Sequence, residues 1–188
     1  MTLIIIPDIF GKTPALERLQ QKLTDIRNTN IIDPYGDGLF FRDEKTAYTH
    51  FRNCLTIPAY ADLVRKKIEE TSGPVYLLGF SAGASALWYL SGLIKTDRIK
   101  KAVGLYGSQI RNFANIYPGF ATHLIFPISE PHFDVEDLQG QLAARPNLSC
   151  ERSSGLHGFM NEYSANFNPD LYSVYIEEVL PEILRSKS

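Results

Sequence analysis

The run Gly79-Phe80-Ser81-Ala82-Gly83 puts a serine between two glycines, each two positions away. A serine hydroxyl is a weak nucleophile until a neighbouring base takes its proton. One way to present it is on a tight turn from a strand into a helix, where the flanking positions must be small so that strand and helix can approach. Ala82 would then contribute a backbone N–H at the start of the helix, aimed at a developing oxyanion and helped by the helix dipole. Such a pentapeptide arises by chance at roughly 0.06 in a chain of this length, taking Gly and Ser near about 7% each. An ordinary glycine-rich turn is the bland alternative. The flanking sequence favours chemistry: Val75–Leu78 is an apolar strand, and Ala84–Leu93 is a helix of small residues.

A nucleophilic serine needs a base and an acid that orients the base, and in this arrangement the chain order is serine, acid, histidine. Four histidines are available. His50 precedes the serine in a charged helical segment and reads as a surface residue. His123 opens an apolar strand and reads as structural, and His132 comes too early for the order. His157, in Ser153-Ser-Gly-Leu-His157-Gly-Phe, follows the last strand in a glycine-flanked loop and is the candidate base. The acid should lie just past the fifth strand, within Ser129–Asp137. Glu130 comes first and is held extended by Pro131. Asp134 is the alternative, although it also suits the N-cap of the helix that follows. Glu136 and Asp137 read as first-turn acids complementing the helix dipole.

The elements that would position these residues alternate along the chain. Strands are expected at Leu3–Ile6, Asn30–Asp33, Val75–Leu78, Ile99–Tyr106, His123–Ile128 and Leu148–Arg152. Helices are expected at Pro14–Thr24 (Thr13 as cap), Ala59–Glu70, Ala84–Leu93, Val135–Ala144 and Leu171–Leu184, with helical pieces in the polar stretch before residue 59. This order implies a mostly parallel sheet with helices on both faces. With 188 residues and 44% hydrophobic content, the chain suits a single domain over residues 1–188. A net charge of −2 without a basic stripe argues against nucleic-acid binding. Cys54 and Cys150 are far apart and outside any metal-binding spacing, so neither a metal site nor a disulfide scaffold is expected. The apolar N-terminal run is too short for a signal peptide, and no stretch approaches a membrane span, so a cytoplasmic location is expected.

Taken together these residues resemble the dienelactone hydrolase family of α/β-hydrolases. The resemblance covers nearly the whole chain. It rests on Pro7-Asp8-Ile9-Phe10-Gly11 after the first strand, the turn Gly79–Gly83, Leu105-Tyr106-Gly107, Pro131-His132-Phe133 and His157-Gly158-Phe159. It implies an α/β-hydrolase fold of about six strands, shorter at the N-terminus than the family and without a cap domain. It also implies hydrolysis of a small ester or lactone with no cofactor. Ser81 would be the nucleophile, His157 the base, and the backbone amides of Ile9 and Ala82 the oxyanion hole. Asp8 falls where the family has an acidic residue that contacts the nucleophile; a loop-capping carboxylate is the alternative. The family prototype carries a cysteine where this chain has Ser81, and an arginine soon after the histidine where this chain reads Phe159-Met160-Asn161-Glu162. Both departures point away from dienelactone itself and toward general esterase chemistry.

Phe10-Gly11-Lys12-Thr13 ends like a phosphate-binding loop, but Ile6 stands where that motif needs glycine. The remaining alternatives are a small thioesterase or carboxylesterase of another α/β-hydrolase group, and a non-catalytic binding module on the same fold. The connection Gly107–Thr122 is too short for a cap, so an open site for compact substrates is expected. Phe113, Tyr117 and Phe120 could line one wall and Tyr35, Phe40 and Phe41 another, although each suits loop packing better. Arg111 could meet an anionic group, with a solvated loop arginine as the simpler reading.

Overall fold

The computed structural model describes residues 1–24 and 28–185. One six-stranded sheet is built from β1 (Thr2–Ile6), β2 (Asn28–Ile31), β3 (Val75–Phe80), β4 (Ile99–Leu105), β5 (Thr122–Phe126) and β6 (Leu148–Arg152). Its order is β2-β1-β3-β4-β5-β6. All five pairings are parallel. β1 and β3 are buried along their whole length, as continuous apolar runs require when both sheet faces are covered. Alternation along β1 divides its side chains. Leu3 and Ile5 pack with Leu19 and Leu23 of α1 (Pro14–Thr24) and with Tyr172, Ile176 and Leu180 near the C-terminus. Ile4 and Ile6 face the other way, onto α3 (Ile57–Glu70) and α4 (Ala82–Ser91).

Register decides where the loops emerge. Ile6 pairs with Gly79, and Phe80 with Leu105, so the segments after β1, β3 and β4 leave the sheet side by side at its carboxyl edge. That edge is where parallel sheets hold their ligands.

Several boundaries differ from those expected, each for a local reason. β2 ends at Ile31 rather than Asp33, because the Asp33 carboxylate accepts the N–H groups of Tyr35, Gly36 and Gly38 and turns the chain. β3 continues to Phe80, directly into the serine turn. α3 begins at Ile57, with Thr56 accepting the Ala59 N–H as its cap. The polar stretch forms a full helix, α2 (Glu44–Cys54), capped by Asp43. α5 spans Val135–Leu142. The closing helix starts at Pro169 under an Asn168 cap and consists of α6 (Pro169–Val174), a π turn at Tyr175–Val179 and α7 (Leu180–Arg185). Pro181 explains the wide turn: a proline ring crowds the carbonyl four residues back, and a π turn relieves that crowding. The β4–β5 connection carries one 3₁₀ helix, Ser108–Phe113.

Candidate active site

Ser81 adopts φ 48° and ψ −109°, a conformation L-residues rarely occupy. It is held there from both sides. Its N–H donates to Leu105 O at 2.9 Å, and its carbonyl accepts from the Ser85 N–H and Ser85 Oγ, each at 3.0 Å. The flanking glycines have steric causes. A Cβ at Gly83 would lie 2.3 Å from Ile6 O and 2.4 Å from Pro7 O, and one at Gly79 would lie 2.8 Å from Ala84 N. Strand, turn and helix can meet here only without those side chains.

His157 reaches the serine from the loop after β6. That loop returns toward the sheet through Ser153 N–H to Phe126 O and Ile128 N–H to Gly155 O, each at 2.8 Å. Gly158 turns it at φ +86°, and the His157 carbonyl accepts from Asn166 Nδ2 at 2.9 Å. The imidazole lies 5.2 Å from the Tyr106 ring, centroid to centroid, so its tilt is set by packing as well as by hydrogen bonds. Ser81 Oγ sits 2.9 Å from His157 Nε2. His157 Nδ1 sits 2.6 Å from Glu130 Oε1. In the tautomer with its proton on Nδ1, the imidazole donates to Glu130 and leaves Nε2 to accept from the serine hydroxyl. The Glu130 side chain is 5% exposed and that of His157 27%, so the acid is shielded while the base faces the cleft. Asp134, the alternative acid, accepts the Glu136 and Asp137 N–H groups at 2.7 and 3.1 Å and caps α5.

The β1–α1 loop supplies the facing wall. Asp8 O accepts the Gly11 N–H at 3.2 Å inside a turn. In a trans peptide the N–H opposes the carbonyl, so the Ile9 N–H points out of that turn. Tyr60 Oη donates to Pro7 O at 2.9 Å and Tyr35 Oη to Ile9 O at 2.5 Å, fixing the loop from behind. Ile9, Ala82 and Ser81 line one cleft. The Ala82 N–H, at the first position of α4, has no acceptor within the helix.

Asp8 is buried, and its described hydrogen bonds go to the Phe10 N–H at 3.0 Å and Asn161 Nδ2 at 2.7 Å; Ser81 is not among its partners. Burial pushes its carboxyl up to about 6, against the opposing pull of those two donors and of the nearby His157. Asn161 carried no sequence signal beyond its closeness to His157.

The cleft is about 790 Å³. α2 supplies Tyr48, Phe51 and Arg52 to its lining, and the 3₁₀ helix supplies Gln109 and Arg111. None of the six aromatics considered for the walls lines it. Phe113 packs edge-on against Tyr89, Phe120 is buried, and Tyr117 lies under the Arg145 guanidinium. Tyr35 and Phe41 flank His50, which is therefore half-buried rather than on the surface. Phe40 bridges to Gly11. Loop packing holds for the others, while Tyr117 is largely exposed, and the signal missed was the amphipathic pattern of α2. His132 is exposed at the cleft, and His123 lies on β5 beside Ser149. Among the described residues no cluster of His, Cys, Asp and Glu could hold a metal, and no helix is long and apolar enough to cross a membrane.

No protein-family model matches the chain. An uncharacterised protein of Bacillus subtilis strain 168, YczH, is 27% identical over 176 residues, covering 90% of this chain and 85% of the relative. Among solved structures, a dienelactone hydrolase-like promiscuous phosphotriesterase from metagenomic libraries superposes with a TM-score of 0.63 at 13% identity, over 97% of this chain and 84% of its own. A predicted CIB-like hydrolase from Thermoplasma acidophilum superposes with a TM-score of 0.65 at 10% identity, over 96% and 86%. The parallel sheet with helices on both faces is thus an α/β-hydrolase fold, and its structural neighbours are dienelactone hydrolase-like and other α/β-hydrolases.

Proposed function

We propose that the protein is a serine hydrolase of the dienelactone hydrolase type, acting on a small ester or lactone through an acyl-enzyme. The observation that carries this reading is the continuous hydrogen-bonded line from Ser81 Oγ through His157 to Glu130 at the floor of an open cleft. His157 Nε2 takes the hydroxyl proton as Ser81 Oγ attacks the substrate carbonyl. Glu130 holds the imidazole in the required tautomer and stabilises the imidazolium. The Ile9 and Ala82 N–H groups receive the oxyanion, and the helix dipole of α4 favours the same charge. The tetrahedral intermediate collapses, and His157 returns the proton to the leaving alcohol. A water molecule then attacks the acyl-serine, again giving its proton to His157, and Ser81 is released. The breadth of the cleft supports compact, accessible substrates rather than a long acyl chain threaded through a tunnel.

The deciding experiment is labelling with a fluorophosphonate, followed by turnover of an ester, thioester and lactone panel. Labelling of wild type but not of Ser81→Ala, with hydrolysis lost in the variant, is expected. An unlabelled wild type that turns over nothing in the panel would overturn the reading in favour of a binding module.

A further inference from the structure

Two loops must keep register for the proposed chemistry. The β1–α1 loop carries the Ile9 N–H, and the loop after β6 carries His157. They are separated by about 150 residues of sequence, yet the structure joins them through one pair, the buried Asp8 and the half-buried Asn161. Asp8 Oδ1 accepts the Phe10 N–H at 3.0 Å, which closes the oxyanion-side turn. Asp8 Oδ2 accepts from Asn161 Nδ2 at 2.7 Å, across 153 positions of sequence. Asn161 cannot rotate away without loss, because its Oδ1 accepts the Tyr163 N–H at 2.9 Å. Its own N–H donates to Gly158 O at 2.9 Å, one residue from the base. The pair borders a small pocket of about 20 Å³, lined otherwise by Phe80, Tyr106, Met160 and Tyr172 among others, and Asp8 itself is buried there. A carboxylate accepting from an amide in such a place makes a strong, directional link.

We propose that Asp8 and Asn161 are a positioning pair that fixes the oxyanion loop relative to His157. The inference rests on the hydrolase reading above. Neither residue touches the reacting atoms; each acts through the backbone it holds. Breaking the link lets the Ile9 N–H and the imidazole drift relative to one another. A misplacement on the order of 1 Å lowers the chemical step by up to ~10²-fold, while ground-state binding in an open cleft changes little.

The test exploits the symmetry of the pair. Asp8→Asn alone sets two amide donors against each other and breaks the link. Asp8→Asn combined with Asn161→Asp reverses the pair and restores every bond: the new amide at position 8 accepts from Phe10 and donates to position 161, whose carboxylate also accepts the Tyr163 N–H. On an ester that wild type hydrolyses, Asp8→Asn and Asn161→Ala should each lower kcat about tenfold to a hundredfold, with KM within about threefold. The reversed pair should recover to within about threefold of wild type. Fluorophosphonate labelling of Ser81 should remain stoichiometric throughout. Single variants that match wild type, or a reversed pair no better than Asp8→Asn, overturn the proposal. If Asp8→Asn does not fold, Asn161→Ala and the reversed pair carry the same comparison. A wild type that neither labels nor turns over overturns the hydrolase reading and the pair's role together. A labelled, active enzyme indifferent to the pair overturns the pair alone.

Discussion

Among the described residues two Ser–His–Glu clusters can be compared, and they sit in different surroundings. At the carboxyl edge, Ser81, His157 and Glu130 are linked at 2.9 and 2.6 Å. On β5 and β6, His123 Nδ1 lies 2.7 Å from Ser149 Oγ, and His123 Nε2 lies 3.4 Å from Glu151 Oε2. The residue types are identical, but in the second cluster the serine meets Nδ1 rather than Nε2, and the glutamate stands off at 3.4 Å without a hydrogen bond. The surroundings differ. Ser81 stands on a left-handed turn at the start of a helix, with amide donors and a cleft around it. Ser149 lies in the middle of an extended edge strand, outside that cleft, where successive backbone N–H groups point to opposite sides. Desolvation holds His123 below the usual imidazole range, with Glu151 opposing and Lys101 adding to the shift. The lesson is that a triad is defined by the backbone that presents it.

The largest expected contrast is between the two serines. Under the proposed mechanism Ser81→Ala should cut kcat on the order of 10⁶-fold, whereas Ser149→Ala should stay within about twofold. Steady-state turnover of one ester by both variants checks this, and equal losses would erase the distinction between the clusters. Next come the acids. Glu130→Gln should lower kcat about 10⁴-fold with the fold intact, while Glu151→Gln should leave it unchanged. Asp134→Ala should cost about 1 kcal/mol of stability through its lost cap, with little change in kcat. A kcat collapse in Asp134→Ala together with an active Glu130→Gln would exchange their roles.

pH separates the two regions in opposite directions. The folded-state carboxyl of Asp8 is raised from 3.8 to about 6, so the stability it contributes is full below pH 3.8 and is lost as pH rises through about 6. The loss amounts to about 3 kcal/mol. His123 is depressed, so its contribution is present above pH 6.5 and falls away on acidification. Urea unfolding across pH 4 to 8 should show Asp8→Asn gaining on wild type as pH rises and His123→Gln gaining as pH falls. Parallel curves would refute both assignments. The smallest effect concerns a glycine away from the serine turn. At Gly140 in α5 a Cβ would meet nothing within 4 Å, in contrast to the crowding at Gly79 and Gly83. Gly140→Ala should therefore stabilise by about 0.5–1 kcal/mol, read from the urea midpoint, with kcat unchanged.

The fold was legible in the sequence because its signals are local. β-branched runs such as Leu3–Ile6, and caps such as Thr13 before Pro14, need no distant partner to be recognised. The serine turn was legible for the same reason. The acid was not resolved, because Glu130 and Asp134 sit four residues apart and both fit a loop after a strand. What distinguishes them is contact with His157, 27 positions away for Glu130, against a bond to the next turn of its own helix for Asp134. The residues that do line the cleft were not legible for a related reason. Aromatics such as Phe120 advertise burial but not its location, while α2 hides its apolar stripe of Ala47 and Phe51 among charges. Asp8 stood out through its loop motif, but its meeting with Asn161 arises only through tertiary folding, and no local pattern marks that partner.

The left-handed turn at Ser81 also sets stability against activity. A non-glycine residue in that conformation costs on the order of 1–3 kcal/mol, and the bonds from Leu105, Ser85 and the α4 packing must hold it there. Glycine occupies the same backbone angles freely. Ser81→Gly would therefore give a firmer protein without the proposed chemistry. Selection for thermal endurance alone would push position 81 toward glycine, and a use for the serine hydroxyl such as the proposed reaction is what would oppose that gradient.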